Sequence, residues 1–224
     1  MARTVYESGY PVPAVYGIVE VHGRHGIVYE RVDGPSMLQE LMSKPRELEH
    51  FAGMFAELHA KMHSSQIKGL PSQHQKLKAK IRNAKPLFEE QRNAALKALY
   101  QLPDDNALCH GDFHPDNILM SSQGPAVIDW NDVTQGNPHA DIARTLLLLQ
   151  QGEPVQPFEL DAEQIVSMRN LFIDIYLRQY TQIRSISLKN IESWRLPVTA
   201  ARLSEGIKEE ESRLLSIIEV LLNK

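Results

Sequence analysis

The chain has 224 residues, 42% of them hydrophobic, enough to bury a core and too many for a disordered polypeptide. Its 24 basic and 28 acidic residues give a formal net charge of −4 with no basic stripe, which argues against nucleic acid as a partner. The single cysteine, Cys109, excludes an intramolecular disulfide and reads either as a thiol nucleophile beside His110 or, the preferred reading, as a small apolar residue packed behind a loop.

In chain order, residues 15–21 and 27–32 are rich in β-branched side chains and flank His22-Gly23-Arg24-His25-Gly26, which predicts a β-hairpin running on into Gly34. After Pro45, Leu48, Phe51, Phe55, Leu58 and Met62 recur every three or four residues and predict a helix with one buried face. His59 and His63 lie four apart on it. They could share a metal, but no third ligand at a sensible spacing is evident, so a core-edge and a surface histidine are preferred. A further helix is expected over about 86–101.

The phrase A-R-T-L-L-L-L-Q-Q (143–151) reads as a helix buried nearly all round, suited to the centre of the molecule beneath a site. Asp161-Ala-Glu-Gln164 has the form of a capping box, so a long helix should start there and reach the early 180s. Phe172, Tyr176 and Tyr180 repeat along it at a spacing of four, preferably as a core stripe rather than a pocket wall. A last helix is expected over about 207–222, apolar at Leu214, Leu215, Ile218 and Leu222, with Glu209-Glu210-Glu211 favouring its N-terminus. The most apolar stretch, 165–183, is interrupted by Arg169, Asp174 and Arg178, so no membrane span is expected. The first residues contain no apolar run resembling a signal peptide, and a cytoplasmic location is expected.

Chemistry concentrates in C-H-G-D-F-H-P-D-N-I-L-M (109–120) and A-V-I-D-W (126–130). Asp112, Asn117 and Asp129 follow the order that kinase chemistry requires: an Asp to receive the acceptor hydroxyl's proton, then an Asn and a second Asp to hold magnesium. Residues 117–120 and 125–129 read as strands joined by Ser121-Ser122-Gln123-Gly124, a hairpin that would set Asn117 almost opposite Asp129 on one face. Two oxygen ligands are what magnesium takes from protein when water and phosphate supply the rest.

On these residues the chain resembles the aminoglycoside phosphotransferase and choline kinase-like family, whose catalytic loop reads H-G-D-x-x-x-x-N and whose metal Asp follows on a hairpin. The resemblance implies an α+β, mostly helical, protein kinase-like large lobe. It implies Asp112 as catalytic base, Asn117 and Asp129 as Mg2+ ligands, and His110, His114 and Asp141 as structural supports of the loop. Tyr29, Glu30 and Val32 would lie at the hinge whose main chain binds the adenine of ATP or another nucleoside triphosphate. Residues 1–34 would then be a remnant of the N-terminal lobe with the hinge, and 35–224 the helical catalytic lobe.

The family's Gly-rich loop, strand Lys and helix Glu are not found: no Lys precedes Lys44, and the glycines at 9, 17, 23, 26 and 34 make no G-x-G-x-x-G. The expectation is therefore a small-molecule kinase lacking most of its small lobe, with a second chain as the partner that could complete it. The alternative is a truncated, non-catalytic binding module. The acceptor, an aminoglycoside, an amino alcohol or a sugar-like hydroxyl compound, stays open. Glu153, Glu159, Asp161 and Asp174 fit either a polycation site or a solvated surface. A metallophosphoesterase, suggested by G-D-F-H-P-D and G-N-P-H, is disfavoured because no D-x-H precedes residue 110 and no His follows His139.

Overall fold

A computed structural model describes residues 1–151 and 161–223; Glu153 and Glu159 lie outside the described residues. The chain opens with helix α1 (Ala2–Glu7), followed by strands β1 (Val15–Val21) and β2 (Arg24–Tyr29). These strands pair antiparallel, Ile18 with Ile27 and Val21 with Arg24. The turn is thus two residues, His22-Gly23, both at positive φ (52° and 74°), rather than the five residues expected from the sequence. A two-residue turn of this kind matches the twist of the flanking strands, and it begins β2 three residues early. Tyr16, Ile18, Val19, Val21 and Ile27 are exposed, so the hairpin stands clear of the core.

Tyr10 ties the N-terminal segment to the large body. Its hydroxyl donates to the Leu58 carbonyl (2.9 Å), and its ring meets Trp130 edge-on at 5.6 Å. Helix α2 (Met37–Ser43) starts at a capping box, Ser36 and Gln39 satisfying each other's backbone N–H groups. Helix α3 (Leu48–His63) buries Phe51, Phe55, Leu58 and Met62, the stripe expected from its periodicity. Alanines 52, 56 and 60 are buried on it too, which lets a neighbouring helix approach closely.

Helices α4 (Gln73–Asn83) and α5 (Glu89–Gln101) lead into strand β3 (Ala107–Cys109). Strands β4 (Ile118–Ser121) and β5 (Gly124–Val127) form a second hairpin, and β6 (Thr134–Gly136) returns to pair antiparallel with β3. Helices α6 (Pro138–Gln151), α7 (Ala162–Ile183), α8 (Leu188–Arg202) and α9 (Lys208–Leu222) complete the body. The capping box at Asp161 and Gln164 opens α7 as its sequence predicts.

Helix α7 lies along α3, while α8 is packed by α4, α5, α6 and α9. The central position expected for α6 therefore falls to α8, which buries Trp194, Pro197, Val198, Ala200 and Ala201. In α6 residues 140–145 and Leu147 are buried, whereas Leu146, Leu148 and Leu149 are half-buried. Helix α8 escapes a reading by periodicity because its apolar residues surround it and Pro197 interrupts it, whereas periodicity detects helices with one polar face.

Candidate active site

The segment between β3 and β4 carries most of the candidate chemistry, and a buried carboxylate holds it. Asp141, in the first turn of α6, accepts the backbone N–H of Gly111 on Oδ1 (2.8 Å) and that of His110 on Oδ2 (2.8 Å). Its Oδ2 also lies 3.2 Å from His59 Nε2 and 3.1 Å from His63 Nε2. Burial pushes the Asp141 pKa up, but the hydrogen bonds from the two imidazoles outweigh it and hold the carboxyl well below the usual range. Four N–H donors converge on one anion.

This arrangement corrects the reading of His63 as a surface residue and His59 as a core-edge one. Both are buried, at 2% and 0% exposure. Asp141 is the third group that the sequence did not reveal, because it lies 82 and 78 residues further on and meets α3 only through the fold.

His110 is buried and faces inward. A carbonyl can only accept, so His110 Nε2–H donates to the Ile128 carbonyl (2.9 Å) while Nδ1 accepts the N–H of Asp112 (3.2 Å). Gly111 follows at φ +80°, and a Cβ there would sit 2.8 Å from the Asp132 carbonyl oxygen, so the turn admits glycine alone without strain. Phe113 anchors the next position in the core, 4.5 Å from the Phe55 ring, and its carbonyl accepts from Thr145 Oγ1 (2.9 Å). Between these two fixed points Asp112 is turned outward, half-buried.

Around Asp112 the structure gathers Asn117, His114 and Arg144. Asn117 Nδ2 donates to the Asp112 carbonyl (2.9 Å) and to its Oδ2 (3.2 Å), which turns Asn117 Oδ1 to the opposite side. His114 Nε2 lies 3.6 Å from Oδ2 and Arg144 Nη2 3.6 Å from Oδ1. Burial raises the Asp112 pKa, yet the His114 contact and the Arg144 charge bring it down to about 2. Asp112 is thus a carboxylate at neutral pH. Arg144 escaped the sequence reading, although it follows Asp141 by three residues on one helix and so shares its face. It also donates to the Gly111 carbonyl (3.1 Å) and pairs with Glu205 (3.0 Å).

The β4–β5 hairpin pairs Ile118 with Val127 and Met120 with Pro125, about a turn of Ser122-Gln123. The N–H of Ile128 donates to the Asn117 carbonyl (2.9 Å), so Ile128, and not Asp129, stands opposite Asn117. The register differs from the expected one by a single residue, which in a continuous strand would send Asp129 to the other face. Asp129 instead leaves the strand in the left-handed region (φ 61°, ψ 58°), so strand alternation does not govern its direction. Its side chain is exposed and bonded to Asn131 Nδ2.

Tyr29, Glu30, Val32 and Asp129 line one cavity of about 280 Å³ with Val12, Leu119 and Ile128. Burial raises the Tyr29 pKa, and the Asp129 charge adds to it. The Glu30 N–H is bonded to the Ala14 carbonyl (2.8 Å). Gly34 brings the chain back across β4, where a Cβ would collide with the Met120 carbonyl. Cys109 is fully buried, and desolvation lifts its thiol well above the ordinary value, which sets it in the core and removes it as a nucleophile.

The buried histidines make acid sensitivity a measurable property of this arrangement. Burial, aided by His63, lowers His59 from 6.5 to about 3, and burial also lowers His63 and His110. The unfolded chain then binds more protons than the folded one once pH drops below about 6.5. Stability is full above that value and falls as pH descends towards the folded values, by up to about 1.4 kcal/mol per pH unit for each group. Urea midpoints should decline steadily from about pH 7 to pH 5, before most carboxylates titrate. A flat profile there would contradict the neutral imidazoles.

The chain matches the model of the phosphotransferase enzyme family over residues 1–180. Among solved structures it is similar to amicoumacin kinase hAmiN in complex with AMP-PNP, Ca2+ and Ami, with a TM-score of 0.63 and 16% identity over 98% of this chain and 74% of that one. It is also similar to an aminoglycoside-3'-phosphotransferase of type VIII (TM-score 0.61, 21% identity, 88% and 76% covered). Choline kinase from Cryptosporidium parvum Iowa II gives 0.57 at 18% identity, with 97% and 74% covered. These likenesses establish a shared kinase-like fold. No curated protein matches the chain by sequence. Matched to one family model over most of its length, the chain belongs to the phosphotransferase enzyme family.

Proposed function

We propose that the protein transfers the γ-phosphoryl group of ATP, or another nucleoside triphosphate, to a hydroxyl of a small molecule. The observation that carries this reading is the placement of an ionised Asp112 against Asn117, with Asp129, just past β5, on the cavity lined by Tyr29, Glu30 and Val32. Asp112 receives the acceptor's hydroxyl hydrogen and aims its oxygen. A carboxylate this weakly basic suits a loose transition state, where the proton leaves late and orientation matters more than base strength.

Asn117 and Asp129 would hold Mg2+. Their donor set fits a hard cation: one carboxylate that is exposed, and one amide whose oxygen is turned away from Asp112. When bound, the ion neutralises charge on the phosphates. His114 and Arg144 keep Asp112 ionised and oriented, and His110 and Asp141 fix the backbone beneath it. With the Glu30 N–H engaged by Ala14, the adenine contacts fall to the Glu30 carbonyl and the Val32 N–H.

The cation that would counter the phosphates from a small lobe is not among residues 1–43 as a lysine. The exposed β1–β2 hairpin is where a second chain would add strands and supply it. Titration calorimetry with Mg-ATP tests the reading. Heat of binding that depends on Mg2+ and falls at least about tenfold in affinity in Asp129→Ala is expected. Absence of heat and of thermal shift at millimolar nucleotide would reject it in favour of a non-catalytic module.

A further inference from the structure

Beneath the catalytic loop lies a set of buried polar side chains that the proposed chemistry does not use directly. Tyr176 and Tyr180, one turn apart on α7, place their hydroxyls 2.8 Å from His59 Nδ1 and 2.7 Å from His63 Nδ1. The other nitrogen of each imidazole faces Asp141 Oδ2. Because a carboxylate only accepts, each His must donate through Nε2–H, and in a neutral imidazole, the form that burial favours, Nδ1 must then accept the tyrosine O–H. The chemistry leaves one consistent proton arrangement: two parallel relays run from α7 through α3 into Asp141, and from its oxygens to the amides of His110 and Gly111.

An apolar core could hold these helices together as well, since replacing buried polar groups by packed hydrocarbon is often neutral or stabilising. The surroundings are in fact apolar and aromatic: Phe55 touches Phe113, Phe172 and Tyr176, and His59 stacks on Phe113 at 4.2 Å. What the polar set adds is direction. It fixes where one carboxylate sits and thereby the two peptide groups that precede Asp112.

We propose that His59, His63, Tyr176 and Tyr180 are positioning residues for phosphoryl transfer, acting through Asp141 on the backbone of His110 and Gly111 and so on the placement of Asp112. This rests on the phosphotransferase reading above. The four residues contact neither nucleotide nor acceptor in that reading; they decide how well the base is aimed. The network also makes α7, which contributes no residue to the loop, a partner in the geometry of catalysis.

Tyr176→Phe and Tyr180→Phe remove one hydroxyl each and keep the rings, so the aromatic packing survives. Each should lower kcat about tenfold, leave KM for ATP within about twofold, and leave the double variant Tyr176→Phe/Tyr180→Phe worse than either alone. Nitrogen-15 NMR of labelled imidazoles in the wild-type chain at neutral pH should show His59 and His63 neutral with the proton on Nε2, and Tyr176→Phe should perturb His59 first. Amide hydrogen exchange at His110 and Gly111 should quicken about tenfold in the variants.

Three results overturn the proposal: a proton on Nδ1 in the wild-type imidazoles, unchanged exchange at both amides, or kcat unmoved while the imidazole signals shift. Stoichiometric zinc in the purified protein would overturn it too, since His59, His63 and Asp141 offer ligand atoms within 4.8 Å of one another. A wild-type chain that neither binds nor turns over Mg-ATP refutes the phosphotransferase reading and the catalytic half of this proposal. The NMR and exchange measurements, which need no turnover, then decide whether the network holds the loop.

Discussion

Asp112→Ala should reduce phosphoryl transfer about 10²- to 10⁴-fold, the usual range for removing a positioned acid–base group, with the fold intact. The side chain is short, partly open to solvent and tied to its surroundings by polar contacts, so its loss exposes little apolar surface. Three neighbours, Asn117, His114 and Arg144, lose an anionic partner, but Asn117 keeps the residue-112 carbonyl and Arg144 keeps the Gly111 carbonyl and Glu205. Affinity for Mg-ATP should be nearly unchanged, because in the proposed mechanism Asp112 serves the acceptor rather than the nucleotide. Steady-state kinetics with calorimetry on the same variant separates these effects. Transfer at the wild-type rate would remove Asp112 from the mechanism.

Asp141→Asn should instead strike stability first. The carboxylate receives four N–H donors while fully buried, and an amide presents only one oxygen to them. Its NH2 group would face the donor of a loop amide or of an imidazole, with no acceptor in reach and no solvent to substitute. Breaking such a buried charged network by removing one partner costs about 3–5 kcal/mol. Activity should fall with it, since His110 and Gly111 lose the anchor that sets the turn before Asp112. Denaturant unfolding of wild type and variant measures the first effect. A midpoint shift corresponding to less than about 1 kcal/mol would mean that Asp141 does not hold the loop.

Much of the fold could be read from residues. The stripe of α3, the capping box that starts α7, the β4–β5 hairpin and the last helix all follow from periodicity or turn chemistry, which act over a few residues. Two elements went differently for local reasons. The first hairpin closes on His22-Gly23 because that pair accepts positive φ, and α8 is hidden by Pro197 and by apolar residues on every side. The hairpin register shows how narrow the margin is. Gly124 belongs to the strand and not to the turn, so Asn117 meets Ile128.

The sequence alone singled out the side chains proposed for phosphoryl transfer, because Asp112, Asn117 and Asp129 are close along the chain and their order is set by covalent connection. Only the tertiary structure decided what surrounds them. Arg144 and Glu205 reach the loop from α6 and from the end of α8, and His63 was turned from a surface residue into a ligand of a buried carboxylate. Those contacts join segments dozens of residues apart. Their free energy comes from burying helices against one another, and a pattern confined to one helix cannot specify which polar group its neighbour will bring.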